Sequence, residues 1–457
     1  MHNSALSLHP ANPHYFLFRG KPTVLITSGE HYAAVLNPDF NYRKYLDTLH
    51  REGFNHTRLF VGAYRERPDE HWPQNPLGPV PARFLCPFGR SRIAGAADGG
   101  NEFDLNTWDD VFFARLRDFC QLADERGIVI EINLFCPHYA FHAEGVLWKL
   151  SPFNPDNNVN GLGEILSAEV FTLKHGMLQQ YQDAMVRKII QTVNGHGNLY
   201  YEICNEPYCD SVTMEWQHHI AELILKDEKG KALQHLVSWN VANEFAQVTE
   251  VHPAISILNF HYPRPDPKCV TANFNLGRLI GCNETGFDGA AAEPYRVQAW
   301  QFMLAGGGLF NHLDASFCVG DEAGARHLAG ANFGGGPEIR KQLRILKDFM
   351  EGFDFVRMAP CNGAIADRGG AAAAYVLAEE GRQYAVYIRR GDDAKCGAFV
   401  LNVPEGRYTV EWVDPQTGAT GRRETLVAAG GQLVLQPGEL RPDIGARILG
   451  GQQLAGR

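Results

Sequence analysis

Long hydrophobic runs are missing from this chain. No stretch approaches 18 consecutive apolar residues, so no transmembrane helix is expected. The N-terminus (MHNSALSLHPANPHYF) lacks a basic start followed by an apolar core, so no signal peptide is expected. Positive charge is short: Lys and Arg number 42 against 52 Asp and Glu, a net charge of −10. Nucleic acid and anionic membranes both call for a basic face, so neither is expected as a partner. None of the ten cysteines forms a CxxC pair, which argues against a zinc ribbon or a thioredoxin-type site. Internal repeats and low-complexity segments are absent too.

What is present is ordinary for a folded protein. Hydrophobic residues make up 45% and charged residues 21% of 457, a length that suits two to four domains or one large barrel with a small companion. Cys136, Cys204 and Cys282 lie in apolar strand-like runs, where the thiol serves as a small hydrophobe. The cysteines read as the reduced thiols of a cytosolic protein, and the expected compartment is the bacterial cytoplasm. A secreted protein stripped of its leader would read the same way. The formal sequon Asn283-Glu-Thr285 overlaps a strand end argued below to be catalytic, which weighs against a eukaryotic secretory route.

Short β-branched runs alternate with amphipathic stretches. Strands are predicted at 23–28, 55–61, 128–135, 199–205, 236–241, 256–261, 279–283 and 308–312, with helices such as 42–51, 108–126, 177–193 and 294–305 between them. Eight strands with intervening helices predict a (β/α)8 barrel over residues 1–354. A doubly wound sheet would favour a glycine-rich first turn, and that turn reads SGEHY, with no GxGxxG. Two loops are long: 62–107, rich in proline, and 136–175, rich in aromatics, His and Asn. Loops after barrel strands lie on the catalytic face, so these two are expected to wall a cleft. From about 355 the texture changes to short alternating strands (AAAYVLAEE, QYAVYIRR, GAFVLNV, RYTVEWVDP, GQLVLQP). Residues 355–457 read as an immunoglobulin-like β-sandwich, more a brace for the barrel than a polysaccharide binder.

Two motifs carry chemistry. Residues 200–207, YYEICNEP, end a strand in Asn205-Glu206-Pro207, and alternation puts Cys204 and Glu206 on one face. Residues 279–286, LIGCNETG, end in Glu284. By count these are the fourth and seventh strands. Two carboxylates facing each other across a cleft suit glycosidic bond cleavage. One holds a proton for the leaving oxygen; the other attacks the anomeric carbon and stabilises positive charge.

With these motifs the sequence resembles the clan A glycoside hydrolases, most closely family 5 (cellulase- and mannanase-like) enzymes and their barrel-plus-sandwich relatives. The resemblance is a weak pattern over most of 15–320, specific at a few motifs. It implies that Glu206 is the general acid/base, that Asn205 binds the sugar 2-hydroxyl and that Glu284 is the nucleophile. GFNHTRLF resembles the second-strand motif and implies Arg58 beside the nucleophile, where its charge would keep Glu284 ionised. FHYP resembles the sixth-strand motif, with His261 or Tyr262 on the carboxylates. YTVEWVDPQTG resembles the terminal sandwich of a group of barrel glycosidases.

The family's tryptophan at the end of the eighth strand is replaced here by FNHLDAS, and the first and third strands end in SGEH and NLFCPHY. Glu30, His31, His138, His312 and Asp314 are therefore candidates for recognising the sugar, and Trp72 and Trp148 for stacking on it. His138 and His142 are four apart without the HExxH glutamate, which argues for loop histidines rather than metal ligands. No cofactor is called for. The sequence thus reads as a retaining β-glycosidase acting on a β-linked oligo- or polysaccharide. A non-catalytic sugar-binding protein on a degenerate barrel and a transglycosylase using the same site are the alternatives. Keeping both glutamates with Arg58 and Asn205 argues against the first; nothing in the sequence separates the second, or a monomer from a homo-oligomer.

Overall fold

The computed structural model describes residues 4–29, 34–67, 75–138, 145–209, 211–326, 332–390, 397–437 and 442–451. Eight parallel strands form the centre: β1 (Leu25–Gly29), β2 (His56–Phe60), β3 (Val129–Asn133), β4 (Leu199–Glu202), β5 (Val237–Asn243), β6 (Ile257–His261), β7 (Leu279–Glu284) and β8 (Leu309–Leu313). They are hydrogen-bonded in the order β1-β8-β7-β6-β5-β4-β3-β2. At the seam between β1 and β2 a side chain stands in for a ladder. The Asn55 amide donates to Val24 O at 2.9 Å and accepts from Ile26 N at 3.4 Å, which brings the sheet to a nearly closed TIM barrel.

Helices α1 (Tyr42–Arg51), α2 (Asp110–Glu125), α3 (Gly176–Val193), α4 (Met214–Glu228), α5 (Lys268–Asn273), α6 (Ala292–Leu304) and α7 (Pro337–Glu351) belong to the barrel. Their ends follow from sequence. Asp109 caps α2 by accepting from Phe112 N at 3.0 Å, and Gly127 takes the left-handed φ of 69° just past its end. No helix is long and apolar enough to cross a membrane among the described residues. The loop after β2 is not irregular throughout: Phe88–Ala94 and Asn101–Trp108 pair as an antiparallel hairpin.

A three-stranded sheet, Ser7–His9, Asn12–Phe18 and Lys21–Thr23, closes the N-terminal end of the barrel. Phe16, Phe18 and Leu6 pack there against Leu25, Val129, Tyr200, Ile257, Leu279 and Leu309. Burying each phenylalanine contributes about 1.5–3 kcal/mol. These strands were not expected from the sequence; Pro22 sits on an edge strand and Pro13 at the start of the central one, places where proline is tolerated.

The C-terminal region is a sandwich of a six-stranded and a three-stranded antiparallel sheet. Tyr384, Val386 and Ile388 face its own core, while Ala385 and Tyr387 join the core of the barrel. Trp300 of α6 stacks on Tyr387 with ring centroids 5.4 Å apart. Arg296 of α6 grips Asp443 with two hydrogen bonds, 2.9 and 3.1 Å, and both side chains are buried. Gly445 lets the central strand Asp443–Gly450 approach, since a Cβ there would lie 2.8 Å from Trp300. The sandwich is thus clamped to the helix that follows β7.

Candidate active site

Alternation along the strands fills the upper barrel with polar groups. On β2, Arg58 points inward, fully buried, beneath the C-terminal ends of the strands. Its guanidinium makes three contacts that define the site. Nη1 donates to Glu284 Oε2 at 2.8 Å, Nη2 to Asn205 Oδ1 at 2.7 Å, and Nε to Glu202 Oε2 at 2.8 Å. Burial alone would lower the Arg58 pKa; the charges of Glu202, Glu284 and Glu131 outweigh it and raise the pKa further.

Glu284 reaches this point through a register shift. Asn283 already faces inward, donating to Glu202 Oε1 at 2.8 Å, so strict alternation would turn Glu284 outward. The ladder between β6 and β7 slips by one residue after Phe260, pairing His261 with Glu284, and such a bulge re-aims the next side chain. Tyr262, at a left-handed φ of 49°, donates its hydroxyl to Glu284 Oε1 at 2.6 Å. Glu206 also has a positive φ, 40°, and its N–H is held by Asn240 Oδ1 at 2.7 Å. Two such backbone conformations away from glycine cost about 1–3 kcal/mol each, and strain of this kind gathers at functional sites.

Glu206 lies between two imidazoles. His138 Nε2 is 3.0 Å from its Oε2, and His261 Nδ1 is 2.9 Å from its Oε1. Burial would raise the Glu206 pKa, but the hydrogen bonds from His138 and His261 prevail and lower it. For His138, burial acts downward; Cys136 and Glu206 overcome it and raise the pKa well above the usual imidazole range. The pair therefore holds one proton across neutral pH. The same His138 Nε2 lies 3.2 Å from Asn205 Nδ2. Glu206, His261 and Glu284 each offer a ligand atom, all within 4.8 Å of one another.

The structure thus brings together Arg58, His138, Asn205, Glu206, His261, Tyr262 and Glu284. Two candidates do not join them. His312 on β8 faces the helices, with Nδ1 2.8 Å from Ser28 Oγ and its ring 4.3 Å from that of Tyr295 on α6. On that strand Asn311 points inward, reaching Asn283 O at 3.4 Å, so parity turns His312 outward. Asp314 is buried against Arg340 of α7 at 2.8 Å. Trp148 is half-buried and packs on the core from a short helix, Val146–Leu150. Glu30, His31, Trp72 and His142 lie outside the described residues.

Sequence reasoning missed Glu202 and Glu131, both fully buried beneath the site. Strand parity gave no signal for Glu202, because β4 ends there and Glu206 lies beyond it at a positive φ. It also missed three aromatics that follow β4, β5 and β7. Tyr208, Phe245 and Phe287 are 37%, 47% and 36% exposed. The Tyr208 hydroxyl reaches Asn243 Oδ1 at 2.7 Å, and the Phe287 ring is 6.0 Å from that of Tyr262.

The fold, a TIM barrel followed by a β-sandwich, is shared with solved glycoside hydrolase structures. Over 98% of its length the chain matches a glycoside hydrolase family 5 structure from Bacteroides vulgatus, covering 93% of that chain with a TM-score of 0.64 and 14% identity. A second Bacteroides vulgatus structure, described as a candidate glycoside hydrolase, matches over 98% of this chain and 82% of that one, with a TM-score of 0.69 and 13% identity. A family 30 subfamily 8 xylanase from Clostridium acetobutylicum matches over 98% and 100%, with a TM-score of 0.51 and 12% identity. At such identities the likeness is one of fold. A family model described as "Domain of unknown function (DUF6298)" matches residues 71–194. No curated protein matches the sequence.

Proposed function

We propose that this protein is a retaining β-glycoside hydrolase that cleaves a β-linked oligo- or polysaccharide by double displacement. The observation that carries the reading is the closeness of two differently dressed carboxylates. Oxygens of Glu206 and Glu284 lie within 4.8 Å, which suits the spacing of about 5–5.5 Å between the carboxyl groups of retaining enzymes and leaves no room for the water that inversion requires. The glycoside hydrolase names of the structural neighbours agree with it.

Glu284, ion-paired to Arg58 and hydrogen-bonded by Tyr262, is the nucleophile. Its Oε attacks the anomeric carbon while the bond to the leaving oxygen breaks. Glu206 delivers to that oxygen the proton it shares with His138. In the second step water attacks the same carbon, Glu206 takes the water's proton, and the bond to Glu284 breaks. Two inversions leave the β configuration unchanged. Asn205, fixed by Arg58, is placed to bind the hydroxyl beside the anomeric centre.

The test is stereochemical. Proton NMR of early turnover of a β-glycoside should show the β-anomer of the product first, with the α-anomer growing in by mutarotation. The α-anomer appearing first would overturn the retaining assignment.

A further inference from the structure

The floor of the site contains a carboxylate that double displacement does not use. Glu202 lies four residues before Glu206, on β4, and is fully buried. Its side chain touches two groups next to the catalytic pair, Arg58 and Asn283. Its Oε2 accepts from Arg58 Nε at 2.8 Å and lies 2.7 Å from Arg58 Nη2. The same oxygen accepts from Asn133 Nδ2 at 2.8 Å. Its Oε1 accepts from Asn283 Nδ2 at 2.8 Å, and Asn283 immediately precedes Glu284.

One layer lower is Glu131. Its Oε1 accepts from Asn259 at 2.7 Å and from Ser238 at 3.1 Å, and Asn283 Nδ2 reaches it at 3.3 Å. Burial first, and then the charge of Glu202, push Glu131 up to about 8. The carboxylates that Arg58 donates to directly are Glu202 and Glu284. One guanidinium is divided between two carboxylates, Glu202 and Glu284.

We propose that Glu202 is a positioning residue for the glycosylation step, acting on Glu284 through Arg58. The inference rests on the assignment of Glu284 as nucleophile. Glu202 does two things. It fixes the guanidinium by Nε, so that Nη1 and Nη2 are aimed at Glu284 and Asn205. Its charge also competes with Glu284 for the same cation, so Glu284 stays more basic, and a better nucleophile, than in an undivided pair with Arg58. Other groups facing Glu284 include Tyr262 and His261, from the end of β6, and Glu206 and Tyr208, which follow β4.

Glu202→Gln keeps the size and an acceptor for Arg58 Nε and removes the charge. The experiment follows the Glu284 carboxyl carbon by 13C NMR titration in wild type and variant, and measures kcat and KM on a β-glycoside that wild type cleaves, per active site. The expected result is a Glu284 midpoint lower by about one pH unit, kcat reduced about 10–100-fold and KM within about twofold. Glu202→Asp keeps the charge and shortens the reach. It should leave the midpoint near wild type and still lower kcat, and it decides the matter if the Gln variant does not fold. An unchanged midpoint with unchanged kcat in the folded Gln variant, or wild-type kcat in the Asp variant, would overturn the proposal. A wild type without activity speaks against the proposed function instead, and the titration then judges the coupling by itself.

Discussion

His138 places its Nε2 3.0 Å from Oε2 of Glu206, so the group assigned to deliver a proton shares that proton with an imidazole. Burial raises the Glu206 pKa, while the bonds from His138 and His261 lower it further than burial lifts it. Burial lowers that of His138, and Cys136 and Glu206 raise it further than burial depresses it. The sign follows. The pair keeps its proton until the pH passes the raised His138 value, and the alkaline limb of kcat/KM reports that loss. His138→Gln should move the alkaline limb to lower pH, because Glu206 then releases its own proton at a lower pH than the pair does. A pH–rate profile checks this; an unmoved limb would separate His138 from the acid.

Arg58→Met should be severe on two counts. It leaves Glu202 and Glu284 buried without their cation, which costs about 3–5 kcal/mol of stability. It also frees Asn205 and the nucleophile, so kcat/KM should fall by at least about 10³-fold. Thermal melting and kinetics on the remaining folded fraction measure the two separately.

Asp314 and Arg340 should matter to stability and not to turnover. Both are buried, 2.8 Å apart. Burial pushes the Asp314 carboxyl upward, but Arg340 and its other partners hold it below the usual value. Asp314 therefore stabilises the fold above its unfolded pKa, and that contribution disappears as the pH falls through its folded one. Asp314→Asn should cost about 3–5 kcal/mol at pH 7 and flatten the acid side of the stability curve. Activity per active site should stay near wild type. A large rise in KM would place Asp314 in the sugar site after all.

The clamp between sandwich and barrel gives a further prediction. Asp443 accepts from Arg296 and from the Tyr387 hydroxyl, the latter at 2.8 Å. Asp443→Asn should lower the melting temperature through a loss of about 3–5 kcal/mol. Arg296→Met in the same chain should recover part of the loss, since the unpaired cation is then gone. Calorimetry of the single and double variants decides it.

The eight barrel strands were legible because parallel strands buried on both faces read as apolar β-branched runs. Glu206 and Glu284 were legible because each ends such a run. Glu202 and Glu131 were not. An acidic residue inside an apolar strand makes sense only once Arg58 arrives from another strand, and that pairing is fixed by barrel closure. His312 misled for the opposite reason: a polar residue at a strand end suggests a site, but parity against Asn311 sends it to the helices. In the sandwich, Thr420–Ala428 went unseen because it is a largely polar strand at the sheet edge, and Asp443–Gly450 because Gly445 and the charged Asp443 disguise a central strand.

The assignment of attack to Glu284 and of proton transfer to Glu206 can be checked in one experiment. It is tested most directly by hydrolysis of a panel of aryl β-glycosides and β-linked oligosaccharides by wild type, Glu284→Ala and Glu206→Ala, the last with and without azide. Wild type should turn over, both variants should lose activity, and azide should rescue Glu206→Ala with a β-glycosyl azide as product. Turnover that survives Glu284→Ala would contradict the assignment.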